Sequence, residues 1–517
     1  MNGAEGLVRV LSSGGIEACF ANPGTSELHI VAALDRRPEI RCVLGLFEGV
    51  VTAAADGYAR MAGKPACTLL HLGPGLANGL ANLHNASRAH VPIVNIVGQH
   101  PTYHLCHDTP LTADIEAIAR PYSNWLRTSC AASEVRRDAI EAIVAARTAP
   151  GRIATLIVPS DVAWSNVVAG EGDTTAWTIE FPKPTVPAIE TVEHAAAMLR
   201  SGLKTGLLIG GDALFGRGLA TAGRIATAMG AKLFSPYPFT RMERGSGAVP
   251  VERLQYVLEM AVEQLKEFRQ LILVGTSAPV SYFAYPDRNS VLTAPECEIH
   301  RLTRPGEDYV GALEALAAAL SLRDTKFHAE KAERPAVPSG EITLSGLAAS
   351  VGALLPENTI VVDESMTSGR GVMAATRGAP PHDFLANTGG SIGIAMPLAV
   401  GAAVACPGRR VLCLTADGSG MYTAQALWTM AREGLKVTTV VFANRAYAVL
   451  KREFSGLGLG DPGPCAADLF DIGRPDLDWV LLAKGMGVPG TRATSLDAFA
   501  KALREGFESE GPMLIQV

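Results

Sequence analysis

Along most of this chain, short continuous apolar runs alternate with Ala-rich stretches whose apolar positions recur at helical spacing. The runs predict strands at residues 18–21, 42–46, 66–72, 93–98 and 154–158, with helices at 48–61 and 77–87 between them. The alternation resumes with a strand at 206–211, a helix at 219–229 and a strand at 271–275. It ends with strands at 359–363, 410–416, 436–443 and 513–517. Strands that are apolar throughout and joined by helical crossovers form parallel sheets covered on both faces. Two proline-bearing, aperiodic segments, 181–187 and 322–340, interrupt the alternation and mark domain boundaries. The predicted fold class is α/β, with three consecutive doubly wound parallel-sheet domains over residues 1–180, 187–322 and 341–517.

A chain of 517 residues is too long for one core and agrees with three domains. Hydrophobic residues make up 48% and charged ones 19%, a globular composition. A net charge of -6 gives no reason to expect nucleic acid or an anionic membrane as partner. The nine cysteines are an odd number without a C-x-x-C pair, which points to a reducing compartment. The N-terminus lacks the basic-then-apolar run of a secretory signal, and no stretch is apolar for the ~18 residues a membrane helix needs. A cytoplasmic location is expected.

The strand at 411–416 runs into Asp417-Gly-Ser-Gly420, then an expected helix at 422–433, then a second strand ending in Asn444. A carboxylate and an amide at the ends of neighbouring parallel strands meet at the carboxyl edge, where open α/β sheets bind ligands. Hard oxygen donors suit Mg²⁺, which completes its octahedron with phosphate oxygens and water. Gly418 and Ser419 are expected just before a helix, with N–H groups free to face a diphosphate. An Asp-Gly pair standing alone is more often an ordinary turn. Glu48 opens a helix directly after a strand, where the helix dipole alone would favour a glutamate.

Asp417-Gly-Ser followed 27 residues later by Asn444 resembles the thiamine-diphosphate (ThDP) motif of the pyruvate decarboxylase and acetolactate synthase superfamily, G-D-G followed downstream by N-N. Ala416 replaces its first glycine and Arg445 its second asparagine. The pattern Glu48-x7-Asp56-Gly-Tyr-Ala59 resembles the one that carries this superfamily's activating glutamate. The segment 387–397 is similar to the one whose bulky apolar side chain, here Ile392, props the cofactor. The resemblance implies a pyrimidine-binding, a middle and a diphosphate-binding domain. It implies ThDP held through Mg²⁺ by Asp417, Asn444 and the carbonyl of Ala446, with Tyr447 near the diphosphate. The backbone of Gly390 and Ile392 would meet the aminopyrimidine, and Glu48 would stabilise its imino tautomer. The segment 363–368 follows a strand and is expected to reach the cofactor through Thr367.

Residues 22–28 and 70–75 look most like benzoylformate decarboxylase, which has a serine where Thr25 stands and a histidine matching His71. An imidazole there could bind the substrate carboxylate and relay protons; a histidine that merely caps the strand is the plainer alternative. The segment 278–286 resembles the one that carries the decarboxylases' second histidine, yet Phe283 or Ala284 occupies that place. That departure leaves room for carboligation, the addition of the decarboxylated fragment to a second carbonyl. His104, His107 and Asp108 either line the substrate entrance or are solvated, and His100, His104 and His107 make a weak metal candidate. FAD is not expected, because the Arg-Phe-Asp-Asp-Arg segment of its users and a G-x-G-x-x-G turn are both missing. The expected function is ThDP- and Mg²⁺-dependent decarboxylation of a 2-oxo acid, with carboligation open, in a homodimer or homotetramer whose active sites lie between subunits. The alternative is a catalytically silent ThDP-fold binding or regulatory subunit, against which intact Glu48, Asp417 and Asn444 count.

Overall fold

The computed structural model describes residues 1–167, 179–322 and 326–517. Residues 168–178 of the first expected unit, and 323–325 of the second boundary segment, lie outside the described residues. Three sheets follow one another, as the alternation predicts. The first holds β1 (Ala18–Asn22), β2 (Arg41–Leu44), β3 (Ala66–Leu70), β4 (Ile93–Gln99), β5 (Trp125–Thr128) and β6 (Ile153–Pro159), all parallel, in the order β2-β1-β3-β4-β6-β5.

In the middle sheet, β7 (Thr205–Ile209), β8 (Lys232–Ser235), β10 (Glu252–Arg253), β11 (Gln270–Val274) and β12 (Glu298–Arg301) are parallel in the order β10-β8-β7-β11-β12. The third sheet combines β13 (Ile360–Glu364), β14 (His382–Ala386), β15 (Val411–Ala416), β16 (Val437–Phe442), β17 (Gly490–Arg492) and β18 (Met513–Gln516) in the order β17-β18-β16-β15-β13-β14. Its far edge is not open. A strand from the middle of the sequence, β9 (Arg241–Arg244), pairs antiparallel with β14 and covers that edge. Arg241 and Asp383 join the two strands by an ion pair of 2.6 Å. β9 has no apolar run and β14 only the three residues Phe384–Ala386, so the hydrophobic pattern does not announce them.

The first and third domains dock through two helices, Glu48–Ala62 and Ala395–Ala405. Small residues bring their backbones together: a methyl group at Gly57 would lie 2.1 Å from the Leu398 carbonyl oxygen, and one at Gly401 1.9 Å from that of Ala54. Beside them the buried Arg60 makes a bidentate pair with buried Asp56, both bonds 2.7 Å, and donates to the Ala386 carbonyl at 2.7 Å. The Asp56-Gly57 half of the Glu48 motif is therefore docking machinery. Among the described residues no helix is long and apolar enough to cross a membrane. All nine cysteines are free.

Candidate active site

Parallel register sets the first half of the site. Asn22 lies beside Leu70 and Leu70 beside Val97, so the chain leaves β1, β3 and β4 at one edge. Thr25 opens a short turn there, Thr25–Glu27, and is exposed. His71 follows β3 directly. The next residue, the fully buried Leu72, sits at φ +49°, a strained conformation for a bulky side chain. Strain of this kind persists only where the surroundings fix it.

What fixes His71 is Glu27, which the sequence does not single out. Its Oε2 lies 2.7 Å from His71 Nδ1 and accepts the Gly24 N–H at 2.7 Å. Glu27 is fully buried, and its Oε1 has no hydrogen-bond partner among the described residues. Burial pushes its carboxyl above the ordinary range, against the attraction of His71. Two glycines make room for the dyad. A methyl group at Gly24 would lie 2.3 Å from His71 Nδ1, and one at Gly98 1.6 Å from Glu27 Oε1.

Glu48 is the first residue of its helix and is 9% exposed. Asn78 donates to its Oε2 at 3.0 Å from the neighbouring helix Leu72–Ala89. His104 and His107 lie on the short 3₁₀ helix Thr102–His107, with the His100, His104 and His107 rings in series 5.5 and 5.4 Å apart. His107 and Asp108 are exposed. Among the described residues no three His, Cys, Asp or Glu side chains converge on a metal position.

The second half lies at the carboxyl ends of β13, β15 and β16, which are adjacent in the third sheet. Asp417 is 2% exposed. Its Oδ1 accepts the Gly418 N–H at 2.9 Å and its Oδ2 the Arg445 N–H at 2.7 Å, tying the end of β15 to the turn after β16. Burial raises the Asp417 carboxyl pKa, and among the described residues no Lys or Arg side chain pairs with it. Asn444 next door donates to Ser368 Oγ at 3.3 Å and reaches Thr367 Oγ1 at 3.5 Å. Its Oδ1 accepts the Ala446 N–H at 3.1 Å.

Neither departure from the motif disturbs this arrangement. Ala416 has φ -82° and ψ 155°, extended backbone that needs no glycine. Arg445 takes φ +57°, the conformation asparagine tolerates best, and its guanidinium turns away to Asp476 at 2.9 Å. The expected helix at 422–433 is instead one turn, Asp417–Gly420, then Ala426–Arg432. Gly418 and Ser419 therefore lie inside a helical turn rather than before one. The Gly418 N–H, expected to be free, is instead held by the Asp417 carboxylate. A methyl group at Gly418 would lie 2.6 Å from the Tyr447 ring, which packs on that glycine.

A further residue missed in the sequence, Glu364, shapes the loop that carries Gly390 and Ile392. Its Oε1 accepts from Asn387 Nδ2 at 3.2 Å and Gly393 N at 3.0 Å, and its Oε2 from Ala395 N at 3.1 Å. Full burial raises its pKa to about 7 despite these donors. Asn387 Oδ1 takes the Gly390 N–H at 2.8 Å, leaving the Gly390 carbonyl and the Ile392 backbone groups unpartnered among the described residues.

The oxygen set of Asp417, Asn444 and the Ala446 carbonyl, in which the buried Asp417 carboxylate has no Lys or Arg partner among the described residues, fits a hard divalent cation. The unpartnered backbone of Gly390 and Ile392 fits the edge of a planar heterocycle.

Residues 1–118 match the family model described as "Thiamine pyrophosphate enzyme, N-terminal TPP binding domain", and residues 368–517 its "C-terminal TPP binding domain". Over the whole chain, and 99% of the relative, the sequence is 51% identical to the "Putative acetolactate synthase large subunit IlvX" of Mycobacterium tuberculosis. It is 28% identical to the benzoylformate decarboxylase of Pseudomonas aeruginosa over 98% of this chain and 97% of that one. A ThDP-dependent 4-hydroxybenzoylformate decarboxylase from Rhodococcus jostii shares the fold, with a TM-score of 0.85 at 24% identity over 100% of this chain and 99% of that one. The chain belongs to the thiamine pyrophosphate enzymes, as a ThDP-dependent member of the decarboxylase and acetolactate synthase family.

Proposed function

We propose that this enzyme decarboxylates a 2-oxo acid with ThDP and Mg²⁺ and passes the remaining fragment to a second carbonyl, at a site completed by a second copy of the chain. The observation that carries this reading is the buried Asp417 carboxylate held beside Asn444, with no Lys or Arg side chain paired to it among the described residues. ThDP, when bound, supplies a carbanion for the 2-oxo carbon and takes up the electron pair left by departing CO₂. The chain does the rest. Asp417, Asn444 and the Ala446 carbonyl would hold Mg²⁺; Gly418, Ser419, Thr367 and Tyr447 would surround the diphosphate. Ile392 and the Gly390 carbonyl would hold the pyrimidine end. Glu48 would share a proton with a pyrimidine nitrogen, its other oxygen steadied by Asn78. His71, oriented by Glu27, would bind the carboxylate and move protons, beside Thr25.

A shared site has support within one chain. Arg60, at the end of its helix, holds Ala386 and Thr388, whereas Glu48 begins that helix about 18 Å away at 1.5 Å per residue. In the next helix, Asn85 holds Ser391 at 2.8 Å, and Asn78 holds Glu48 about 10 Å earlier. Glu48 and the Gly390–Ile392 loop thus stand at opposite ends of both helices. A second copy related by a twofold axis would bring its Glu48 to this loop and receive this chain's Glu48 at its own. The likeness to an acetolactate synthase-type relative and the missing histidine in 278–286 favour carboligation over aldehyde release. The test is purified protein with ThDP, Mg²⁺ and a panel of 2-oxo acids, following CO₂ and products. CO₂ with 2-hydroxy ketone products is expected; no CO₂ from any of them would contradict the reading.

A further inference from the structure

Where the middle domain lacks a histidine, it sends a tyrosine into the third domain's loop. A methyl group at Gly390 would lie 2.0 Å from the Tyr282 hydroxyl, so the phenol oxygen rests on that glycine, itself at φ +81°. Aromatic rings fix its direction: Tyr282 packs on Phe283, Tyr256 and Tyr237 at centroid distances of 5.0, 5.4 and 6.1 Å. Tyr237 and Tyr256 are covered in turn by Arg253 at 5.1 Å and Arg452 at 5.4 Å. These three tyrosines line a cavity of about 1080 Å³ that extends to Thr388 and Gly389.

The neighbouring Tyr285 hydroxyl is committed to Glu453 at 2.7 Å. The Tyr282 hydroxyl has no hydrogen-bond partner among the described residues. Burial first, and then the Tyr237 phenol, raise its pKa, so it remains a donor at neutral pH.

We propose that Tyr282 is a substrate-contacting residue, whose hydroxyl donates a hydrogen bond to an oxygen of the 2-oxo acid above Gly390. This rests on the reading of the site as one for 2-oxo acids. The ring wall holds the half-exposed donor against the loop, beside the Gly390 carbonyl that is unpartnered among the described residues.

Tyr282→Phe keeps the ring packing and removes only the donor. Pyruvate and benzoylformate are the probes, titrated calorimetrically into ThDP·Mg²⁺ holoenzyme in which Glu48→Gln blocks turnover. Tyr282→Phe should weaken binding of the probe about tenfold, as expected for one hydrogen bond to a charged partner. It should lower kcat/KM by a similar factor in the Glu48 enzyme and leave ThDP affinity within about twofold. Equal probe affinity with and without the hydroxyl, or a loss of ThDP affinity instead, overturns the proposal. Holoenzyme that neither binds nor converts either probe overturns this proposal and the parent reading together.

Discussion

His71 Nδ1 lies 2.7 Å from Oε2 of Glu27, a carboxylate wholly enclosed beneath the edge of the first sheet. That bond fixes which ring nitrogen faces the protein and leaves Nε2 without a partner among the described residues. Glu27 therefore acts through His71, and the two should not contribute independently. His71→Ala should lower kcat/KM about 100-fold and Glu27→Gln about tenfold. The double variant should match His71→Ala alone within about twofold. Multiplying losses in steady-state kinetics would show that Glu27 works elsewhere.

Glu364 makes stability depend on pH in a defined direction. Its pKa is raised by burial from 4.5 to about 7, so the folded protein keeps a proton that the unfolded chain releases. Its contribution to stability is present in full below about pH 4.5 and is lost as pH rises towards 7. Denaturant unfolding of ligand-free protein should show the wild type gaining on Glu364→Gln by on the order of 2 kcal/mol at pH 5 relative to pH 7.5. A pH-independent difference would mean that the carboxyl is ionised throughout this range.

Asp417 and Arg445 make a contrasting pair. Asp417→Ala should abolish Mg²⁺-dependent ThDP retention, because it removes a charged ligand and frees the Arg445 N–H. Arg445→Asn should retain ThDP within about twofold, since Asp417 meets only the backbone of that residue. Its lost ion pair with Asp476 is largely exposed, at 56% and 41%, and worth under about 1 kcal/mol. Calorimetric titration with ThDP and Mg²⁺ distinguishes the two; an unchanged affinity in Asp417→Ala would remove it from the metal set.

The parts of the site legible in the sequence are those that short-range order dictates. Asp417 and Asn444 each end a buried apolar strand, so the pattern of strands alone brings them to one edge. Glu48 opens a helix whose Asp56-Gly57 half is constrained by backbone contact with the third domain. Glu27 was not legible. It lies in a turn of small residues, and only folding brings it under His71 and against Gly98. Glu364 stands one residue into a segment singled out for Thr367, and its partners are backbone N–H groups 29 and 31 residues away. The polar strand β9 is held by pairing and by Arg241–Asp383, and β14 carries only the short apolar run Phe384–Ala386, too brief to stand out.

Glu48→Gln should keep ThDP binding and lose turnover by about 100-fold or more, since the amide cannot hold the shared proton. Asp417→Ala should lose turnover through the cofactor. Mixed after subunit exchange, the two inactive variants would form hybrid dimers with one site carrying both lesions and one carrying neither. The measurement is 2-oxo acid-dependent CO₂ release by the mixture, with mixed dimers verified by differential tags. Activity returning to a sizeable fraction of the wild type is the predicted result. Mixed dimers that form and stay inactive would contradict a site built from Glu48 of one copy and Asp417 of another.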